Sequence, residues 1–223
     1  MLSEEEIRRY LRPIPGASRS DSLDQISALA VDHACQLGFC DLIERIADAL
    51  PEIIDVRAAR FVVLVLRIGM PGHSRLEEEV LFPILRRRSN QAPELPVFLA
   101  QLEQEHANDH EFASEIAEEL EVSINEGRAR NGDMLGYMLR GYFTSQRRHI
   151  EWENATVVPL ARRILTVSDL AEMDVLVASH HAILPARRVI RSIVRNAYQA
   201  DQADAPLSWP AFTKPTIDGS GYA

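Results

Sequence analysis

Apolar residues recur along most of this chain at spacings of three and four, the interval at which an α-helix returns to the same face. From Ser22, whose partner Gln25 forms a capping box, one stripe runs through Ile26, Leu29, Ala30, His33, Leu37, Cys40, Ile43, Ala47 and Leu50. Pro51 closes this first helix. Asp55 caps a second, which runs through RAARFVVLVLRIGM to about Arg88; Pro71 and Gly72 interrupt it just before His73 and predict a kink there. After the loop SNQAPELP, a third helix carries Phe98, Leu102, His106, His110, Ala113, Ile116 and Leu120 on one face, and Gly127 with Asn131-Gly132 turns the chain. A fourth, capped by Asp133, turns Leu135, Met138, Leu139, Tyr142, Gln146, His149, Glu153, Thr156 and Leu160 inward. No segment alternates as a half-buried strand would. The pattern predicts an all-α fold, an antiparallel up-down-up-down four-helix bundle over residues 22–165.

The flanks are less regular. Residues 1–21, with RPIPGASRS near their end, read as an arm. Thr166 and Asp169 mark the start of a fifth helix that Pro185 is expected to break. In ARRVIRSIVRN, Val189, Ile190 and Ile193 alternate with Arg187, Arg188, Arg191 and Arg195, the pattern of a helix packed on the bundle with a solvated basic face. The competing reading of those arginines is contact with an acidic partner or with a second copy of the chain. Residues 166–199 thus form a C-terminal helical appendage, and 200–223 an extended tail without periodicity.

Composition narrows the function. With 223 residues the chain buries roughly 70% of its unfolded surface and needs neither disulfide nor metal merely to fold. A net charge of -9 argues against nucleic acid or an anionic membrane as partner, since both require a basic surface. The longest apolar run, Phe61 to Leu66, is too short to span a bilayer, and MLSEEEIRRY is charged where a signal would be apolar. The two cysteines, Cys35 and Cys40, are badly spaced for a bridge within one helix and read as buried free thiols, which fits a reducing cytoplasm.

The candidate chemistry lies in HSRLEEEVLFP, from His73, and its fainter copy HIEWENATVVP, from His149. Each places a Glu four residues after the His, a spacing that turns a helical side chain by only about 40°. His73 with Glu77, and His149 with Glu153, each present an imidazole beside a carboxylate. Helix one adds His33 and helix three adds His106 and His110, so five of the seven histidines fall on inward stripes. Burying five imidazoles and two carboxylates without a cation is costly, and a shared metal centre offsets that cost. Seven donors are too many for one zinc ion, whereas two metals bridged by the carboxylates use them all. Imidazole with carboxylate suits iron, with zinc and manganese also allowed by residue type.

The ordered set H…HxxxE…HxxxH…HxxxE, with LFP after the first acidic cluster, resembles the hemerythrin-like family, the hemerythrin HHE cation-binding domains, over roughly residues 22–165. That resemblance implies a four-helix bundle around a non-haem di-iron centre. One iron would take His106, His110 and His149, the other His33 and His73. Glu77 and Glu153 would bridge them together with an oxo or hydroxo group. The second iron then has one fewer protein donor, leaving a position for dioxygen or another small diatomic ligand. Tyr142 and Gln146, one to two turns before His149 on its face, would stand around that position as ligand-binding residues. The oxygen-carrying members have Asp five residues after the fourth-helix His; here that position is Asn154 and the carboxylate is Glu153. Relatives with Glu are associated with iron or oxygen sensing, redox stress and repair.

Other readings compete. Glu103 makes Glu-x-x-His with His106, the spacing of ferritin-like carboxylate proteins, but Gln146 stands where their second Glu would fall. Glu78 and Glu79 read as solvated, and His180 and His181 as structural. The leading expectation is a cytoplasmic di-iron protein that binds dioxygen or a related diatomic molecule as sensor, store or carrier. The alternatives are a di-iron redox enzyme acting on peroxide, nitric oxide or an organic substrate, and a helical interaction module with an incidental metal.

Overall fold

The computed structural model describes residues 24–202, with side chains to residue 192. The expected arm at 1–21 lies outside the described residues, as does the tail from 203. Every regular element among the described residues is helical.

Helix α1 (Gln25–Ala49) begins at Asp24, whose carboxylate accepts from the Ser27 N–H at 2.9 Å. The cap is therefore Asp24 and not Ser22, which is outside the described residues. The helix ends at Leu50, pushed to extended backbone by the proline that follows it. Leu37 is exposed; the inward face instead includes Asp32 and Gln36 beside His33. By length and composition α1 is apolar enough to cross a membrane, but 61% of its most apolar window is buried inside the protein. Core packing accounts for that composition.

Asp55 caps the second helical run as its sequence predicts, accepting from the N–H groups of Arg57 and Ala58. The run continues without a break from α2 (Val56–Leu64) through π turns at Val65–Gly69, α3 (Met70–Arg75), π turns at Leu76–Leu81 and α4 (Phe82–Arg87). The expected interruption at Pro71 and Gly72 is thus a change of winding. Proline lacks an N–H and clashes with the carbonyl four residues back. Just before Pro71, Met70 N–H bonds to Val65 O; just before Pro83, Phe82 N–H bonds to Glu77 O. Each widened turn lets the helix absorb its proline and carry on.

Helix α5 (Leu95–Glu126) ends at Gly127, whose φ of 68° is the left-handed C-cap that glycine adopts without strain. Helix α6 (Gly132–Ala155) is capped by Asn131, which accepts from Met134 N–H; Asp133, the expected cap, lies inside the first turn. The backbone turns aside at Thr156 and resumes as α7 (Val157–Ile164). Thr166 and Asp169 form a full capping box for α8 (Val167–Ser179). This fifth helix stops at His180, before Pro185. Pro185 sits in the first turn of α9 (Ile183–Gln202), where a missing N–H has no partner to lose. The helix also runs past residue 200, where the tail was expected to begin. In the turn between α8 and α9 the rings of His180 and His181 stack, 5.2 Å between centroids, and His180 Nε2 meets Glu79 Oε2 at 2.7 Å.

The long runs pack in a ring: α1 on α6, α6 on α5, α5 on α2, and α2 on α1. Two apolar clusters fill the interior. One gathers Phe39, Ile43, Phe61, Val65, Ile116, Leu120, Leu139 and Tyr142; the other gathers Ile26, Leu29, Leu76, Leu81, Leu99, Leu102, Val157 and Leu160. Along α1 and α5 the chain passes from the second cluster to the first, and along residues 56–87 and 132–164 it passes the other way. Between the clusters every run crosses a buried polar layer: His33 and Gln36, His73 and Glu77, His106, then Gln146, His149 and Glu153.

Candidate metal centre

That layer is the site. His33 Nε2 lies 3.6 Å from Glu77 Oε1 and 3.3 Å from Glu153 Oε2. His73 Nε2 is 3.4 Å from Glu77 Oε1, His106 Nε2 is 3.2 Å from Glu77 Oε2, and His149 Nε2 is 3.5 Å from Glu153 Oε2. Donors on one coordination sphere of radius about 2.1 Å stand about 3.0 to 3.4 Å apart in octahedral or tetrahedral geometry, so these spacings suit ligands of a common ion. Two fully buried groups result: His33, His73, Glu77 and Glu153, and Glu77, His106, His149 and Glu153, each with ligand atoms within 4.8 Å of one another. Both carboxylates belong to both groups. Glu77 turns one oxygen to each, with Oε1 toward His33 and His73 and Oε2 toward His106.

Three of the four imidazoles are held from behind. His33 Nδ1 is 2.8 Å from Asn154 Oδ1, His106 Nδ1 is 2.8 Å from Glu78 Oε1, and His149 Nδ1 is 2.9 Å from Glu105 Oε2. These oxygens only accept, so each Nδ1 carries the hydrogen and Nε2 is the atom aimed at the carboxylates. Glu78, expected to be solvated, is thus the partner of His106. His73 Nδ1 is buried and without a partner.

The layer is unsatisfied as protein alone. His33 Nε2, His106 Nε2, Glu77 Oε2 and both oxygens of Glu153 are buried with no hydrogen-bond partner among the described residues. Burial opposes the charged form of His33, yet Glu153 and Glu77 outweigh it and raise its pKa to about 10. His106 is likewise penalised by burial and raised to about 10 by Glu77 and Glu78. Burial pushes the Glu77 carboxyl up, but the surrounding imidazoles, His73 foremost, hold it well below the usual range. Protons stand where a cation would, and binding a cation would displace them. The donor set therefore fits a metal.

A family model for the hemerythrin HHE cation binding domain matches residues 24–161. The chain belongs to that family. The matched stretch holds all four runs that feed the polar layer, and α8 and α9 lie beyond it. No curated protein and no solved structure matches the chain.

Of the seven donors expected from the HHE pattern, His33, His73, Glu77, His106, His149 and Glu153 meet in the layer, and His110 is outside both groups. One helical turn beyond His106, it reaches a small cavity on the flank of the centre, which Tyr142 and Gln146 also line with His73, His106 and His149. His110 Nε2 is buried there without a partner, and burial followed by the charge of His106 lowers its pKa. Tyr142 is fully buried, and burial raises its pKa well above the ordinary value. Gln146 Nε2 donates to Asp109 Oδ2 at 2.6 Å. Glu103 points away and pairs with Arg86 at 2.7 Å, which removes the ferritin-like reading of Glu-x-x-His. Glu105, Asp109 and the supporting role of Asn154 were missed in the sequence. Glu105 follows one residue before His106 yet serves His149 on another helix, so only three-dimensional packing reveals it.

Proposed function

We propose that this hemerythrin-family chain holds two iron ions in the polar layer and binds dioxygen or a related diatomic molecule there as sensor, store or carrier. The observation that carries the reading is the division of Glu77, with Oε1 toward His33 and His73 and Oε2 toward His106. His33 and His73 would hold one ion, His106 and His149 the other, with Glu77 and Glu153 spanning both. Two ferrous ions, if bound there, would supply the electrons that such a ligand takes up.

The protein's own contribution is positional. Asn154, Glu78 and Glu105 fix the rings they touch, and the apolar clusters on either side keep bulk water from the layer. The alternating order of those clusters along the four runs supports an antiparallel up-down-up-down arrangement, which brings ligands from distant sequence to one depth. Tyr142, Gln146 and His110 wall the cavity where a small ligand would approach. Anaerobic ferrous protein, exposed to air, is expected to develop ligand-to-metal absorption bands with oxidation of the iron. Unchanged spectra and oxidation state would contradict the proposal.

A second reading, turnover of peroxide or nitric oxide, draws on His110, an imidazole lining the cavity that could exchange a proton with a bound ligand. Repeated turnovers lost in His110→Ala would favour it; one stoichiometric oxidation and nothing further would argue against it.

A further inference from the structure

Helix α9 lies outside the stretch matched to the family, yet it is seated on the backbone that carries two of the proposed ligands. Asp32, adjacent to His33, is completely buried. Its Oδ2 accepts from Arg187 Nε and its Oδ1 from Arg191 Nε, each at 2.6 Å. Arg187 further donates to Gln25 Oε1 at 2.6 Å, and Arg191 to the Ala28 carbonyl at 3.0 Å. The basic face expected to be solvated is, at Arg187 and Arg191, turned into the protein. On the other side stands Gly72, adjacent to His73. A Cβ at residue 72 would come within 2.1 Å of the Ala186 Cβ, so only glycine lets α9 lie this close. A Cβ at residue 69, one turn earlier, would meet Ile190 Cγ1 at 3.1 Å, a tight contact that a small side-chain shift would relieve.

We infer that α9 is a working part of the His33–His73 half of the centre, and that its docking and metal binding in that half are one coupled equilibrium. The inference rests on the two-ion reading above. Lifting α9 would strip Asp32 of both guanidinium partners and uncover it, removing the contacts that fix the turn bearing His33. It would also uncover the turn that bears His73. Arg187 and Ala186 are thus positioning residues: they touch no ligand atom and act through the backbone beside it. Coupling of this kind is reciprocal, so an ion that needs α9 docked must tighten that docking by the same factor.

The test uses the full chain loaded anaerobically with ferrous iron. Gly72→Ala should crowd Ala186 and weaken binding of one of the two ions by about tenfold or more, a typical coupling factor, while the other is retained. Adding Ala186→Gly in the same chain should restore the lost affinity, which general damage to the fold would not allow. In the unmodified chain, amide hydrogen exchange across residues 183–192 should slow on loading. Both ions held at unchanged affinity in Gly72→Ala, or exchange in α9 indifferent to metal, would overturn the inference. An unmodified chain that holds fewer than two ions would instead contradict the two-ion reading, and exchange in α9 would still decide the coupling.

Discussion

The two halves of the centre share Glu77 and Glu153 but are supported by different means. Behind His106 and His149 stand carboxylates, Glu78 and Glu105, at 2.8 and 2.9 Å. Behind His33 stands the neutral amide of Asn154, and His73 Nδ1 has no hydrogen-bond partner among the described residues. The latter pair is instead braced through its backbone, by Arg187 and Arg191 on Asp32 and by Ala186 against Gly72. A carboxylate behind an imidazole makes it a stronger donor to a cation, whereas an amide does so less. One half is thus held by carboxylates on its imidazoles and the other through the backbone beside its ligands. The His106–His149 half is expected to bind its ion more tightly and to favour the higher oxidation state.

The largest effect should come from removing what the halves share. Glu77→Ala should cost both ions, with elemental analysis of the loaded protein finding less than one metal per chain. A chain still holding two would show that the carboxylate does not span them. Next, His73→Ala and His149→Ala should each leave one ion, and the survivor in His73→Ala should resist chelator longer because it keeps the carboxylate-backed donors. Equal resistance would erase the proposed asymmetry. Weaker again, Glu78→Ala and Glu105→Ala should each lower affinity about 10- to 100-fold at one ion, the usual cost of losing a partner behind a ligand. Asn154→Ala should cost less, at the other ion, and competition titrations would read all three.

The mildest effect is on pH dependence. In metal-free protein His33 and His106 are raised to about 10 from an ordinary value near 6.5. The folded chain therefore keeps protons that the unfolded chain gives up. Their stabilisation should be complete below about pH 6.5 and be lost as pH rises toward about 10. Thermal melts of metal-free protein should fall across that window, and loading with metal should remove much of the fall while releasing protons. A metal-free melting temperature that rises across it would contradict the assignment.

Much of this was legible in the chain. The HxxxE pairs at His73 and His149 point inward because four residues is close to one helical turn, and six of the seven expected donors meet. His110 shares the face of His106, but the rise of one turn carries it past the polar layer to the cavity. The supporting residues were hidden for a different reason. Asn154 looked like the loss of a ligand and is the partner of His33; Glu78 looked solvated and holds His106. Such roles depend on which neighbouring helix lies opposite, which periodicity within one helix does not encode. The same holds for Asp32, a single acid inside an apolar stripe, whose partners lie 155 and 159 residues away in sequence. Helix starts shifted to Asp24 and Asn131 because several capping residues cluster at each end.

The proposed centre depends on two ions sharing Glu77 and Glu153. X-ray absorption at the iron edge, on the fully loaded chain, measures this most directly. Carboxylate-spanned metal pairs lie about 3.5 to 4 Å apart, and nearer when a further atom joins them. A metal–metal scattering path at or inside that distance, with nitrogen and oxygen neighbours alone in the inner sphere, is the expected result. Isolated iron with no second metal within it would contradict the central claim.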